Sequence, residues 1–262
     1  REEMAITVDM EEFLREGYLI VRGCVPADQL ESMRAHCELM LERHKQWWRD
    51  NRAAEDPAGG DWESSIQPRV LFDRVVDPSN YQAVEFVFHQ NTLGVSGQIM
   101  QCDDIVPTQF GMFCNPRQDH GPADWHRDIA PPSHGNVECL YSDYLANPPH
   151  YTQWNIALYD DDVLWLIPGS HKEGQADFEH SAEDRRALRP VELEVDESHA
   201  IPLPMKAGEC LFFHCHMLHH SEGNRSKDRD RRLILFRYAD ADAVEVYNDR
   251  KPRLGPLLRQ RE

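Results

Sequence analysis

The sequence "ECLFFHCHML", residues 209–218, is a short run of apolar, aromatic and histidine residues near the end of the chain. Six similar short runs lie after residue 104, separated by clusters of Pro, Gly and Asp: 107–115, 125–130, 151–159, 163–170, 199–205 and 231–239. Many short strands at such spacing are typical of an all-β barrel or a double-sheet roll. We therefore expect a mainly β core over 105–240.

The first 104 residues differ from this core, because their pattern is mostly helical. Asp9 and Glu12 predict a short capped helix that stops before Gly17. The elements expected after it are a strand at 18–23, a longer helix opened by Pro26, a loop at 50–68 and a second helical stretch at about 78–101. Because the sequence contains no internal repeat and no low-complexity linker, we expect one domain over 1–262, with the helices buttressing one side of the β core.

Composition limits the partners and the location of the protein. The 262 residues carry a formal net charge of −18, which argues against nucleic acid as a partner. No 18-residue apolar run is present and the N-terminus lacks a signal-peptide core, so we expect no membrane association. Seven scattered cysteines without a C-x-x-C pair indicate reduced thiols in a cytoplasmic protein, which we expect to be a monomer or a homodimer.

The stretch "ADWHRDIAP", residues 123–131, places His126 and Asp128 two positions apart. In a strand these side chains point to the same face, so both can reach one metal ion. A third ligand is available about ninety residues later, in a cluster of four histidines: His214, His216, His219 and His220. Two histidines and one carboxylate are typical of non-haem Fe(II) oxygenases, although zinc also accepts these ligands.

Four stretches in this order resemble the phytanoyl-CoA dioxygenase (PhyH-like) family: "WHRD", "IALYDDDVLWLIPGSHK", "GECLFFHCHMLHHSEGNRS" and "RRLILFRY". The resemblance spans about 105–240, and the N-terminal helices fit the family's usual prelude. It implies a double-stranded β-helix, a jelly-roll or cupin-like barrel that binds Fe(II), 2-oxoglutarate and O2. One departure is the connection "YDDDV", which is shorter than the family's usual hairpin.

The resemblance also implies roles for individual residues. Its metal ligands correspond to His126, Asp128 and His219, and a register shift of one would select His220 instead. The cation for the distal carboxylate of 2-oxoglutarate corresponds to Arg231, with Arg232 as the alternative because the preceding loop is one residue longer. Ser221 and Gln109 correspond to further contacts with the co-substrate. We expect His214 to be a structural hydrogen-bonding residue.

These expectations lead to a 2-oxoglutarate-dependent dioxygenase that hydroxylates a small-molecule substrate and releases succinate and CO2. Retention of Asp128 favours oxygen insertion over halogenation. A cupin-like metal-dependent hydrolase or isomerase that does not use 2-oxoglutarate is the alternative, and a non-catalytic binding module is a third. We expect the segment 131–150 to form a lid. The candidates for the pocket wall are Phe113, Trp125, Trp154, Phe213 and, within that segment, Tyr141 and Tyr144.

Overall fold

A computed structural model describes residues 5–72, 75, 77–79, 81–117, 121–128, 146–172 and 195–240. The α-helices in these ranges are α1 (Met10–Glu16), α2 (Ala27–Asn51), α3 (Asp61–Ser64), α4 (Tyr81–Glu85) and α5 (Val95–Met100). The strands are β1 (Tyr18–Val21), β2 (Arg69–Leu71), β3 (Ile105–Phe113), β4 (Ala123–His126), β5 (Tyr151–Ala157), β6 (Leu164–Leu166), β7 (Ile201–Pro202), β8 (Cys210–His214), β9 (His219–Ser221) and β10 (Leu233–Asp240).

The strands form two sheets in which every pair is antiparallel. The larger sheet has the order β1-β8-β5-β10-β3-β2, and the smaller sheet has the order β4-β9-β6-β7. This arrangement confirms the predicted jelly-roll core. Two strands of the larger sheet, β1 and β2, come from the first 104 residues, so this region supplies more than a helical buttress. The sequence pattern predicted β1 but not β2.

The first helix begins and ends where its capping residues predict. The Asp9 side chain accepts a hydrogen bond from the Glu12 backbone N–H at 3.0 Å. Gly17 follows the helix with a φ of 82°, and its N–H donates to the carbonyl oxygen of Phe13 at 2.7 Å. Glycine tolerates this left-handed conformation at no steric cost. The cap thereby turns the chain directly into β1.

One face of α2 packs against the larger sheet. Its buried side chains, Met33, Cys37, Met40, Leu41, His44 and Trp48, recur at helical spacing. All of them except His44 share one hydrophobic cluster with Val70 of β2, Met112 of β3, Trp154 of β5 and Phe236 of β10. The helices therefore cover one face of this sheet and leave its other face for the interior of the roll. The predicted helical stretch at 78–101 is present but broken, with a 3-10 turn (Phe86–Phe88) and a π turn (Gln90–Gly94) between α4 and α5.

Alternation along β5 decides which of its side chains can reach the interior of the roll. Trp154 is fully buried on the helix-covered face and stacks on Phe236 with ring centroids 4.4 Å apart. Trp154 is therefore a core residue, and its expected place in a pocket wall is wrong. Its neighbours Gln153 and Asn155 point to the opposite face, because successive residues of a strand alternate.

The described cysteines are all free thiols, and all of them except the half-buried Cys102 are buried. Burial raises the pKa of the Cys114 and Cys215 thiols to about 12, so these groups stay protonated. Cys139 lies outside the described residues. Across the described ranges, no helix combines the length and the apolar character needed to cross a membrane.

Candidate metal centre

The two predicted histidine ligands lie next to each other on neighbouring strands. His126, the last residue of β4, pairs in register with His219, the first residue of β9. The Nδ1 atom of His126 lies 2.6 Å from the carbonyl oxygen of Asp124, and that of His219 lies 3.1 Å from the carbonyl oxygen of Met217. Because a carbonyl oxygen only accepts, each Nδ1 carries the proton and each Nε2 keeps its lone pair.

Asp128 lies two residues beyond the end of β4, in a bend, and not on the strand as expected. Its carboxylate nevertheless faces both histidines: Oδ1 is 3.5 Å from His126 Nε2, and Oδ2 is 3.5 Å from His219 Nε2. The three potential ligand atoms lie within 4.8 Å of one another. The structure thus brings together the three residues that the resemblance selects.

The pKa values of His219 and Asp128 suit metal binding at neutral pH. Burial lowers the pKa of His219 to about 4, so this imidazole is neutral. Burial alone raises the pKa of the Asp128 carboxyl, but attraction to His219 and contact with His126 lower it by more. The resulting pKa of Asp128 lies well below its usual range. The pKa of His126 is lowered by burial but raised on balance by contact with Asp128.

His220, the alternative to His219 if the register were shifted by one residue, points away from this cluster. Its ring lies between two indoles, with its centroid 4.4 Å from that of Trp125 and 6.2 Å from that of Trp165. Since neighbouring residues of β9 face opposite sides, His219 and His220 cannot both reach the triad. His214 lies in the core, and its Nε2 donates to the carbonyl oxygen of Ala146 at 2.9 Å.

A pocket opens beside the triad. Apart from the three triad residues, its wall is a mixture of cationic, amide and apolar side chains: Gln67, Arg69, Phe113, Gln153, Asn155, Leu164, Ser221, Arg231, Leu233, Leu235 and Arg237. Of the pocket-wall aromatic residues expected from the sequence, Phe113 is part of this wall. Phe213 instead packs in a second hydrophobic cluster, and the Trp125 indole donates to Glu197 at 2.9 Å. Tyr141 and Tyr144 lie outside the described residues, together with most of the segment 131–150.

Arg231 reaches the pocket, but its guanidinium is already paired. Its Nε lies 2.6 Å from Asp161 Oδ2 and its Nη2 lies 3.4 Å from Asp161 Oδ1, and both side chains are at most 5 % exposed. Asp161 belongs to the shortened connection noted in the sequence. Arg232 points to the other side of the chain and pairs with Glu38 at 2.6 Å. Of the two arginines considered for 2-oxoglutarate, only Arg231 lines the pocket.

The two other predicted co-substrate contacts are placed differently. The Ser221 hydroxyl is part of the pocket wall and accepts a short hydrogen bond from Gln67 Nε2. Gln109 lies on β3, where its backbone pairs with that of Arg237 on β10. Its side chain is outside the described part of the structure.

Several residues at this site were not predicted from the sequence. Gln153 donates to the Asp128 carboxylate through a short hydrogen bond, and Arg237 donates to Gln153 Oε1 through Nε at 3.2 Å and Nη2 at 2.8 Å. Arg69 lies with its guanidinium carbon 4.7 Å from the centroid of the Phe113 ring. Arg237 could have been found from the alternation of the strand. Every second residue after Arg231 faces the same side, and this series runs through Leu233 and Leu235 to Arg237.

The donor set fits a divalent iron ion. Two neutral imidazole nitrogens and one carboxylate oxygen form a facial set that leaves positions open for other ligands. The arginines in the adjoining wall fit an anionic co-substrate, because a guanidinium binds a carboxylate through a fork of N–H donors.

Comparison with known proteins supports an iron- and 2-oxoglutarate-dependent site. The chain is 24 % identical over 266 residues to an ectoine dioxygenase of Halomonas elongata, which covers 93 % of this chain and 74 % of that protein. The solved structure of the non-haem α-ketoglutarate-dependent carbocyclase SnoK from nogalamycin biosynthesis matches with a TM-score of 0.61 at 20 % identity, covering 89 % of this chain and 83 % of that one. EvdO2 from Micromonospora carbonacea var. aurantiaca, solved with 2-oxoglutarate, matches with a TM-score of 0.59 at 16 % identity, covering 91 % and 94 % of the two chains.

The jelly-roll fold and the His-Asp-His cluster define a non-haem iron oxygenase that depends on 2-oxoglutarate. Within that class, the match to the phytanoyl-CoA dioxygenase (PhyH) family runs over residues 13–233. The chain belongs to the phytanoyl-CoA dioxygenase family.

Proposed function

We propose that His126, Asp128 and His219 hold Fe(II), and that the enzyme hydroxylates an unactivated C–H bond of a small-molecule substrate. The observation that supports this most directly is that one potential ligand atom from each of the three residues lies within 4.8 Å of the other two. Bound iron and 2-oxoglutarate supply the activation of dioxygen, and the balanced reaction converts 2-oxoglutarate, O2 and R–H into succinate, CO2 and R–OH.

The protein's own groups have separate tasks in this reaction. The backbone carbonyls of Asp124 and Met217 hold the two imidazoles in the tautomer that presents Nε2. Leu164, Leu233 and Leu235 supply an apolar part of the pocket wall, which limits the access of water to the reacting atoms.

Arg231 is the proposed cation for the distal carboxylate of 2-oxoglutarate. It lines the pocket on the same face of the chain as Leu233 and Leu235, whereas Arg232 does not. An incoming carboxylate would share its guanidinium with Asp161, which occupies Nε and Nη2. Ser221 and Gln109 are proposed as further contacts with the co-substrate.

The substrate is proposed to reach the triad from a neighbouring cleft of about 570 Å³, a volume suited to a small molecule. Gln67 and Arg69 line both this cleft and the triad pocket, so the two spaces adjoin. The net charge of −18 favours such a substrate over nucleic acid. We further propose a single domain that acts in the cytoplasm as a monomer or a homodimer, without a membrane partner.

The first experiment is an anaerobic titration of metal-free protein with Fe(II) and then 2-oxoglutarate, followed by visible absorption. A weak charge-transfer band that Asp128→Ala abolishes would support the metal site. The second step treats a mixture of small metabolites with enzyme, Fe(II) and 2-oxoglutarate under 18O2. Hydroxylation is expected to place one 18O atom in succinate and one in the product. Metal binding without the band, and without succinate, would instead point to a metal-dependent hydrolase or isomerase.

A further inference from the structure

Asp128 receives less support from the backbone than the two histidines do. His126 and His219 are paired within the ladder of β4 and β9, whereas Asp128 lies in a bend beyond the last residue of β4. The direction of its carboxylate therefore depends on side-chain contacts. Besides the two histidines, Asp128 is contacted by residues of β5 and β10, two central strands of the larger sheet.

We propose that Gln153, held by Arg237, is a positioning residue that fixes the orientation of the Asp128 carboxylate at the metal centre. Gln153 lies directly opposite Arg237 in the register of β5 and β10. Its Nε2 donates to Asp128 Oδ2, and its Oε1 accepts from Nε and Nη2 of Arg237. This inference rests on the proposed role of Asp128 as a metal ligand.

Arg237 determines which way round the Gln153 amide lies. A guanidinium has only donors, so it must face the amide oxygen. The NH2 group is then directed at Asp128, whose carboxylate oxygen accepts from it. Without Arg237, the amide would lose the contact that fixes its oxygen end, so its NH2 group would be held less firmly against the carboxylate. The two residues thus form one unit, in which Arg237 orients Gln153 and Gln153 orients Asp128.

The chemical consequence concerns how Asp128 can bind the metal. Gln153 takes up hydrogen-bonding capacity on Oδ2 and restrains rotation of the carboxylate plane. The other oxygen, Oδ1, lies 3.5 Å from His126 Nε2. A carboxylate held in this way is ready to offer one oxygen to a metal ion and to leave the other positions around the ion open.

Arg237 contacts the Gln153 amide more closely than it contacts the Asp128 carboxylate. Its Nη2 lies 3.9 Å from Asp128 Oδ2, longer than its 2.8 Å contact with Gln153 Oε1. The guanidinium edge formed by Nε and Nη2 faces the amide, and only 18 % of the Arg237 side chain is exposed. We therefore assign Arg237 to the support of Asp128 and leave the distal carboxylate of 2-oxoglutarate to Arg231.

The test compares the Fe(II) affinity of Gln153→Glu with that of the wild type, by anaerobic titration against a competing chelator. The glutamate side chain keeps the volume and can still accept from Arg237, but it has no N–H to donate to Asp128. We expect Fe(II) affinity to fall about 10- to 100-fold, as is typical when an outer partner of a ligand is lost. Because the new carboxylate would also face that of Asp128, a loss in Gln153→Glu that Arg237→Met does not share would be assigned to charge repulsion and would overturn the positioning role.

Two further variants keep the result interpretable. Arg237→Met leaves Gln153 in place but frees its amide to rotate, so it should also lower Fe(II) affinity. If Gln153→Glu does not fold, the Fe(II) affinity of Arg237→Met tests the positioning role by itself. Thr152→Val is the matched control. It lies on the same strand, faces the opposite side, is fully buried, and its hydroxyl makes no hydrogen bond within the described ranges.

The possible outcomes separate this inference from the proposed function. Wild-type Fe(II) affinity in both Gln153→Glu and Arg237→Met would overturn the positioning role and leave the metal site standing. If wild-type protein binds no Fe(II), or if Asp128→Ala binds it equally well, the proposed function itself is wrong. As a second readout, the wavelength of the Fe(II)–2-oxoglutarate band at saturating metal should shift in both Gln153 and Arg237 variants and not in Thr152→Val.

Discussion

His126 and His219 lie directly opposite each other across β4 and β9, with ring centroids 4.3 Å apart. Their separation is therefore fixed by the hydrogen-bonded ladder of the smaller sheet. Ligands that project from regular elements are held more accurately than ligands on loops. The metal centre is built on this pair, and Asp128 is brought to it from beyond the strand end.

The first prediction concerns metal affinity. His219→Ala and Asp128→Ala each remove one of three converging ligand atoms, so each should weaken Fe(II) binding by more than the 10- to 100-fold that is typical for an outer partner. His220→Ala should leave the affinity within about twofold, because its ring lies on the opposite face between Trp125 and Trp165. Anaerobic Fe(II) titration measures all three variants. Loss of binding in His220→Ala, with His219→Ala unaffected, would mean that the ligand assignment is wrong by one residue.

The fold could be predicted from the sequence because it is carried by local patterns, and the family resemblance then selected the three residues that the structure brings together. The alternation of β-rich runs with turn residues requires no knowledge of which strands pair. His126 and Asp128 are two positions apart, and the run "HHS" lies in a motif of its own. The structural reason given for pairing Asp128 with His126 was partly wrong, since Asp128 reaches the cluster from a bend and not along the face of β4.

The supporting contacts could not be predicted, because they depend on the register between distant strands. Gln153 meets Arg237 only because residue 153 of β5 lies opposite residue 237 of β10. The pairing of Arg231 with Asp161 likewise joins positions 70 residues apart. Trp154 was misplaced for a related reason: the residue pattern predicts the alternation of β5, but not which of its two faces the helices cover.

The second prediction concerns the cation for 2-oxoglutarate. Arg231→Met should weaken 2-oxoglutarate binding to the Fe(II) enzyme about 10- to 100-fold, because charged hydrogen bonds contribute roughly 1.5–3 kcal/mol. Isothermal titration without oxygen measures the affinity. The same change also leaves Asp161 buried and unpaired, which should cost about 3–5 kcal/mol of folding stability.

Asp161→Asn separates these two effects, because it disrupts the ion pair and keeps the cation. It should destabilise the fold but retain or improve 2-oxoglutarate binding. Arg232→Met is a second control, since Arg232 pairs with Glu38 away from the pocket. If Arg69→Met weakens 2-oxoglutarate binding and Arg231→Met does not, the assignment moves to Arg69, which also lines the pocket.

The third prediction concerns the stability of the fold in acid. Burial lowers the pKa of His214 to about 3 and that of His171 to about 4, and their rings lie 4.9 Å apart. In the unfolded chain both groups titrate near pH 6.5. Between that pH and the lower pKa values of the folded protein, the unfolded state therefore binds more protons than the folded state. The free energy of unfolding should therefore be unaffected by these groups above about pH 7. It should fall as the pH drops from about 6.5 towards 4, by up to about 1.4 kcal/mol per pH unit for His214.

Urea unfolding at several pH values measures this slope. His214→Gln removes the titrating group, so the slope between about pH 6.5 and pH 4 should become shallower. His199→Gln is the control, because this histidine is exposed and should leave the slope unchanged. Parallel pH profiles for wild type and His214→Gln would show that protonation of His214 does not contribute to acid unfolding.

The fourth prediction concerns Gly17, which joins α1 to β1 beside the core of the roll. Its φ of 82° already disfavours a side chain, and a Cβ there would lie 2.3 Å from His171 Nδ1 and 2.5 Å from Met217 Sδ. The left-handed conformation costs roughly 1–2 kcal/mol for other residues, and overpacking typically adds about 1–3 kcal/mol. Gly17→Ala should therefore lower the free energy of unfolding by about 2–5 kcal/mol.

Gly23→Ala is the matched control, because Gly23 has a φ of 62° but, among the described residues other than its chain neighbours, a Cβ added there would meet no atom within 4 Å. This variant should show only the conformational cost of roughly 1–2 kcal/mol. The difference between the two variants, measured by urea unfolding, isolates the steric contribution at Gly17. Since Met217 also accepts the Nδ1–H of His219 through its carbonyl, displacement of Met217 should weaken Fe(II) binding in Gly17→Ala as well. Equal destabilisation of the two variants, with unchanged Fe(II) affinity, would show that His171 and Met217 yield without transmitting strain to the metal centre.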